Sequence, residues 1–158
     1  MILVTVGTPS NDFTRLVKKI DDLIENKTIR EKVIIQIGYT NYIPKHSEWF
    51  RFINPEKIES FYKKSTICIT HGGIGSIITS LKYKKPTIVV PRLKKFNEHI
   101  DDHQIQIVKE LEKQKKIIAV YDIDDLEKSI KKAVKLKSHK LEEKSKILNL
   151  IEEFIQKN

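Results

Sequence analysis

The sequence predicts an α/β fold built on a doubly wound parallel sheet. Two observations lead there. Short runs of β-branched and other apolar residues alternate with stretches of helical period, the pattern of a parallel sheet with helices on both faces. The five glycines, Gly7, Gly38, Gly72, Gly73 and Gly75, cluster just after such runs. A glycine beyond a strand's carboxyl end lets backbone come close to a ligand.

The elements follow in order. Ile2 to Val6 reads as a strand buried on both faces. Phe13, Leu16, Val17, Ile20, Leu23 and Ile24 then mark one face of a helix, with Ser10, Asn11 or Asp12 as its N-cap. Val33 to Ile37 is a second strand and Trp49 to Ile53 a third. Asn54-Pro55-Glu56 opens a helix running to about Lys64, because proline suits a first helical turn. Thr66 to Thr70 is a strand, Ile74 to Lys84 a helix and Thr87 to Pro91 a strand. Asp101 to Lys113 forms a helix with Ile105, Val108 and Leu111 on its inner face. Ile117 to Tyr121, Ile123 to Leu136 and Leu141 to Phe154 complete the chain as strand, helix and helix. Leu148, Ile151 and Ile155 lie along one side of the last helix, suited to packing on this domain or on a partner.

With 158 residues and 39% hydrophobic content, the chain can bury the core of one domain. No apolar run is long enough to span a bilayer. Met1 leads straight into a strand, so no signal peptide is expected. One cysteine, Cys68, sits in an apolar run and reads as core, which excludes an internal disulfide framework and a cysteine-rich zinc site. These features set the cytoplasm as the expected compartment.

Ligands of doubly wound sheets bind outside the carboxyl ends of the strands, and the polar chemistry of this sequence falls there. His71-Gly72-Gly73-Ile74-Gly75-Ser76 follows a strand and opens a helix, exposing N–H groups where an anion is favoured. It is not a Walker motif, and a tight packing turn is the plainer alternative. Gly7 and Thr8 offer an N–H and a hydroxyl after the first strand. The segment from Glu98 to Gln104 is the densest polar cluster. His99 and His103 stand four apart, but with only Asp102 as a third ligand a metal site is not expected. Asp102, His103 and Gln104 suit sugar hydroxyls; Asp101 and Asp102 also suit a helix N-terminus. Lys82, Lys84, Lys85, Arg92, Lys94 and Lys95 form a run of basic residues with no acid among them. No aromatic residues interleave with this run in the manner of a nucleic-acid stacking platform, so nucleic acid is not an expected partner.

Taken together, Val4-Thr5-Val6-Gly7-Thr8, Gln36-Ile37-Gly38, His71 to Ser76, Lys85-Pro86, Val89-Val90-Pro91-Arg92 and Glu98 to Gln104 resemble the C-terminal domain of glycosyltransferase family 28, in its order. The resemblance runs from about Met1 to Val120 and points to the small subunits of two-part transferases, including those of exopolysaccharide biosynthesis. It implies a Rossmann-like domain equivalent to the C-terminal half of a GT-B enzyme over residues 1-138, with 139-158 as an added helix. It implies a UDP-sugar donor and no bound metal or other cofactor. The donor-binding residues it implies are Gly7, Thr8, Ile53 for the uracil, His71, Gly72, Gly73, Gly75 and Ser76 for the diphosphate, Arg92, and Asp102, His103 and Gln104 for the sugar. Thr79 takes the place of a glutamate that holds ribose in a peptidoglycan-building relative. Glu98 and His99 are the candidate catalytic residues, since inverting transfer needs a base for the acceptor hydroxyl. Arg92, Lys94 and Lys95 are placed to face an acceptor diphosphate or anionic lipid. One domain is half of a GT-B cleft. The resemblance therefore implies a membrane-anchored partner subunit supplying the N-terminal half, a lipid-linked acceptor, and a location at the cytoplasmic membrane face through that partner. The alternative is a nucleotide-sugar-binding module without catalysis. On these readings Gly73→Val blocks the phosphate and spares the fold, and Gln104→Ala costs turnover more than stability.

Overall fold

The computed structural model describes residues 1–136. The element order is β1 (Ile2–Thr5), α1 (Thr14–Glu25), β2 (Val33–Gln36), β3 (Glu48–Phe50), α2 (Pro55–Lys64), β4 (Ile67–His71), α3 (Ile74–Lys82), β5 (Thr87–Val90), α4 (His103–Lys113), β6 (Ile118–Ala119) and α5 (Leu126–Lys135), with 3-10 turns at Lys94–Phe96 and Ile123–Asp125. The six strands form one sheet in the order β3-β2-β1-β4-β5-β6, and every pairing is parallel. The expected doubly wound α/β architecture is therefore present. The last expected helix, with Leu148, Ile151 and Ile155, lies outside the described residues.

Alternation along each strand builds the two faces. Ile2, Val4, Ile35, Ile69, Ile88 and Val90 pack with Leu16, Val17 and Ile20 of α1 and with Leu126, Ile130 and Ala133 of α5. Val89 points the other way, into a cluster with Ile77 and Leu81 of α3 and Val108 and Leu111 of α4. Leu3 and Cys68 share that second face with Tyr62 of α2. Cys68 is buried as expected, and burial pushes its thiol pKa up.

Local signals set the boundaries. Asn54 caps α2 by accepting from the Lys57 N–H, with Pro55 in the first turn. Asp12 accepts from the Thr14 N–H and hydroxyl at the start of α1, close to its expected capping role. Helices α1, α3 and α4 each end on a lysine in the left-handed region: Lys27, Lys84 and Lys115. Lys85 N–H reaches Ser80 O and Lys116 N–H reaches Leu111 O, the bonds that close a helix end where glycine is commonest. At Lys115 this closes α4 without a glycine. Strand β3 is displaced from the expected Trp49 to Ile53 and ends at Phe50, so Phe52 and Ile53 lie in the loop beyond it.

Candidate functional site

All six strands point the same way, so the loops after them share one rim. The strand order reverses between β1 and β4, which opens a crevice at the rim. Residues 6–8 and His71 to Gly73 face each other there.

The β1 side is fixed by an amide. Gln36 accepts from the Gly7 N–H through Oε1 at 3.2 Å and donates from Nε2 to the Gly7 carbonyl at 3.0 Å. Gly7 itself turns through φ +80°. Gln36 is a polar residue in a strand of otherwise apolar residues, and that break in pattern was the signal for its role.

Three of the glycines are explained by side chains of this chain. A Cβ on Gly7 would fall 2.4 Å from the His71 ring, and a Cβ on Gly73 would fall 2.1 Å from His71 Nε2. The imidazole is thus held between the two glycines. A Cβ on Gly72 would meet Gln104 at 2.7 Å. This corrects the expectation for Gly73→Val: the valine would collide with a buried ring of the protein as well as with any ligand. Gly75 differs, because it is exposed and its Cβ would meet nothing.

At the start of α3 no side chain caps the helix and no acid occupies the first turn. Ile77 N–H already bonds Gly73 O. The N–H groups of residues 74–76 precede it, at the positive end of the helix dipole. Ser76 is half-buried beside them, and Thr79 donates its hydroxyl back to Gly75 O at 2.7 Å.

Burial, and then repulsion from Arg92 and His99, push the His71 pKa down to about 4, so the imidazole is neutral. A histidine in the unfolded chain takes its proton near 6.5. Between these values the unfolded chain binds more protons, so this stabilisation is complete above the unfolded pKa and is lost as pH falls through the folded one. Its size is on the order of 3 kcal/mol. The urea midpoint should therefore fall as pH is lowered from 6.5 to 5, and His71→Gln should remove most of that slope. An unchanged slope in the variant would place the titration elsewhere.

The β5 side of the rim corrects three expectations. Arg92 is not available to a ligand: it is 0% exposed. Its guanidinium donates to Val6 O at 2.9 Å, Asn11 O at 3.0 Å, Glu98 O at 3.1 Å and Asp12 O at 3.3 Å, and it lies 4.6 Å over the Phe13 ring. Burial lowers its pKa to about 10, which leaves it charged at neutral pH. Glu98 is not a free base: at 3% exposure it takes two bonds of 2.8 Å from Arg15 and one of 3.0 Å from Leu93 N–H. Gln104 is a strut, since its buried Oε1 accepts from both Gly72 N–H and Arg92 N–H. Gln104→Ala would leave two buried donors unpaired, so the loss of turnover would come with a loss of stability.

The other expected residues lie at the rim. Thr8, Asp102 and His103 are exposed, and His99, Asp101 and Ile53 are half-buried. Asp102 Oδ1 accepts from Lys94 N–H, and Asp101 Oδ1 accepts from His103 N–H. His99 Nδ1 lies 3.1 Å from Asp101 Oδ1. Among the described residues no group of three potential ligands is arranged to hold a metal ion. Beyond β3, exposed Phe52 packs edge-on to exposed Tyr39 at 5.1 Å, beside Ile53. Arg15 and Tyr39 were not picked out from the sequence, and Asn11 only as a candidate helix cap. A cation on an amphipathic helix and residues in a polar loop carry no signal of their own.

A crevice at the switch point of a parallel sheet, with an uncapped helix start on one side, defines a Rossmann-like domain of the kind that forms half of a GT-B glycosyltransferase. The solved structures agree on the fold. The glycosyltransferase of kitacinnamycin superposes with a TM-score of 0.61 at 16% identity, covering 85% of this chain and 34% of that one. SnogD from Streptomyces nogalater gives 0.55 at 15% identity over 85% and 34%. The chain belongs to the glycosyltransferase family 28 C-terminal domain, whose description matches residues 1–157. It is 29% identical over 120 residues to the human UDP-N-acetylglucosamine transferase subunit ALG13, covering 72% of this chain and 10% of the human protein. It is 29% identical over 97 residues to the subunit of the same name from Debaryomyces hansenii, covering 54% of this chain and 46% of that protein. The chain therefore spans less than half the length of either relative.

Proposed function

We propose that this chain is the donor-binding subunit of a two-component inverting glycosyltransferase, moving a hexosyl group from a UDP-sugar to a lipid-linked saccharide acceptor in polysaccharide or glycan assembly. The observation that carries the reading is the open start of α3, with Gly75 exposed and uncapped N–H groups facing the switch-point crevice. The diphosphate sits there, with Gly7, Thr8, Gly73 and Ser76 around it and neutral His71 beneath. The uracil lies against Phe52 and Ile53, backed by Tyr39. Gly72, Gln104 and Arg92 shape the site from behind. Asp102 and His103 face the sugar, and Thr79 lies one helical turn beyond Gly75 for the ribose. No metal is needed in this arrangement, so EDTA should leave transfer unchanged.

With Glu98 committed to Arg15, His99 is the one of the two candidate bases left to accept the acceptor's proton, the alternative being a base from a partner subunit. The His99 ring is oriented by Asp101, whose Oδ1 lies 3.1 Å from Nδ1 and whose N–H lies 3.3 Å from the same atom. The acceptor side of the cleft comes from a partner subunit, as the word "subunit" in the names of both ALG13 relatives suggests. That partner brings the chain to the cytoplasmic membrane face. Among the described residues no helix is long and apolar enough to cross a membrane.

The test is Gly75→Asp. The new Cβ meets open space, and an acid in the first turn of a helix is mildly stabilising. The same carboxylate repels a diphosphate. Thermal stability should hold or rise slightly, while UDP affinity measured by calorimetry should fall by about tenfold or more. Undiminished UDP affinity would remove the diphosphate from α3. Transfer activity should appear only when the partner subunit is supplied; robust transfer by the chain alone would overturn the two-component reading.

A further inference from the structure

The sequence places Lys82, Lys84, Lys85, Arg92, Lys94 and Lys95 in one basic run, but the fold breaks it up. Lys84 and Lys85 precede β5 and lie at the opposite end of that strand from Lys94 and Lys95, which follow it. Lys85 donates to Lys63 O, and Arg92 is buried. What remains at the rim is loop 93–102, and its polarity is inverted. Its glutamate, Glu98, points inward at 3% exposure, whereas Phe96 is 51% and Ile100 78% exposed.

This exposure is not slack. The loop's backbone is fixed by Leu93 N–H to Glu98, by Glu98 O to Arg92, by Asn97 O to the Asn11 side chain, and by Asn97 in the left-handed region. Lys95 Nζ stands 4.9 Å and Arg15 Cζ 5.1 Å from the Phe96 ring centre, and Lys94 and Lys95 are both exposed. Of the neighbouring acids, Asp102 is tied to Lys94 N–H, while Asp101 lies against His99 and His103.

We propose that loop 93–102 docks this chain directly on an anionic bilayer, with Phe96 and Ile100 entering the headgroup region and Lys94 and Lys95 on the lipid phosphates. Apolar tips flanked by cations on long stems suit a soft, negatively charged interface. A folded protein partner would instead be met by a contiguous apolar patch, whereas here the two tips are separated by a polar turn and an inward-facing acid. Each lysine held near such a surface strengthens binding by about fivefold. The chain's net charge of +9 adds a diffuse attraction, so the test must read insertion at the loop itself. The loop also carries His99 and Asp102 of the proposed site, so the test reads bilayer insertion and nucleotide affinity separately.

The full chain with Ile100→Cys carries an environment-sensitive fluorophore at that one position, because Cys68 is buried. It is mixed with vesicles of equal phosphatidylglycerol and phosphatidylcholine, or of phosphatidylcholine alone. A blue shift and quenching by headgroup-depth nitroxide lipid are expected only with the anionic vesicles. The same label at Trp49→Cys, an exposed position on the outermost strand, should show neither. No shift at residue 100, or an equal shift at residue 49, overturns the proposal. In sedimentation, Phe96→Ser with Ile100→Ser should lower binding to anionic vesicles by about fivefold or more while UDP affinity and melting temperature hold. Unchanged vesicle binding in that variant also overturns it. Gly75→Asp should bind vesicles like the parent, so failure of the nucleotide reading leaves this result standing.

Discussion

Arg92→Ala should lower the unfolding free energy by about 3–5 kcal/mol, because it strips a buried cation from a network in which both terminal guanidinium nitrogens are bonded. Four carbonyl oxygens, of Val6, Asn11, Asp12 and Glu98, lose their donor at once. Each left dry costs roughly 1–3 kcal/mol, offset where water enters the space. For a chain of this size each kcal/mol moves the melting temperature by roughly 2–4 °C. A fall on the order of 10 °C is expected by circular dichroism. Arg92→Lys should recover little, since one ammonium cannot reach carbonyls arranged around a planar fork. The loss should also reach the site, because Arg92 ties the loop after β1 to the loop after β5. A loss below about 1 kcal/mol would show that these carbonyls rehydrate without cost, and the network would then be incidental.

Gly73→Val should abolish measurable UDP binding and destabilise the fold together. The added Cβ would lie 2.1 Å from His71 Nε2, so the ring must leave its place between Gly7 and Gly73. Overpacking of this kind typically costs about 1–3 kcal/mol. The displaced imidazole then enters the crevice assigned to the diphosphate. A double variant, Gly73→Val with His71→Ala, separates the effects: stability should recover in part as the clash is relieved. If the double variant is no more stable than the single one, the ring is not what Gly73 accommodates.

The strands were legible because buried parallel strands are written as short apolar runs, and β1, β2, β4 and β5 fell within a residue or two of their expected bounds. Helix α2 was legible from Asn54-Pro55, since its cap is a purely local interaction. Strand β3 was misplaced because Glu48 and Trp49 are exposed on the outermost strand and no burial pattern marks its ends. The rim was legible as a location and much less so as chemistry. Arg92, Glu98 and Gln104 are the residue types a sugar or phosphate site uses, and nothing local shows that they turn inward. Their partners, Arg15, Asn11 and Gly72, are distant in sequence, and only the closed sheet brings them together. The glycines were read as room for a ligand; three of them are also room for His71 and Gln104.

The span of the Arg92 contacts also bears on synthesis. Arg92 reaches back 86 residues to Val6 and 81 to Asn11. A nascent chain that has emerged through β4 already holds the four strands β3-β2-β1-β4, and with them both walls of the crevice. Its rim loops are still untied, because the tether and the Glu98 that supports it have not left the ribosome. The rim is thus tied together only once β5 and the segment after it have been made.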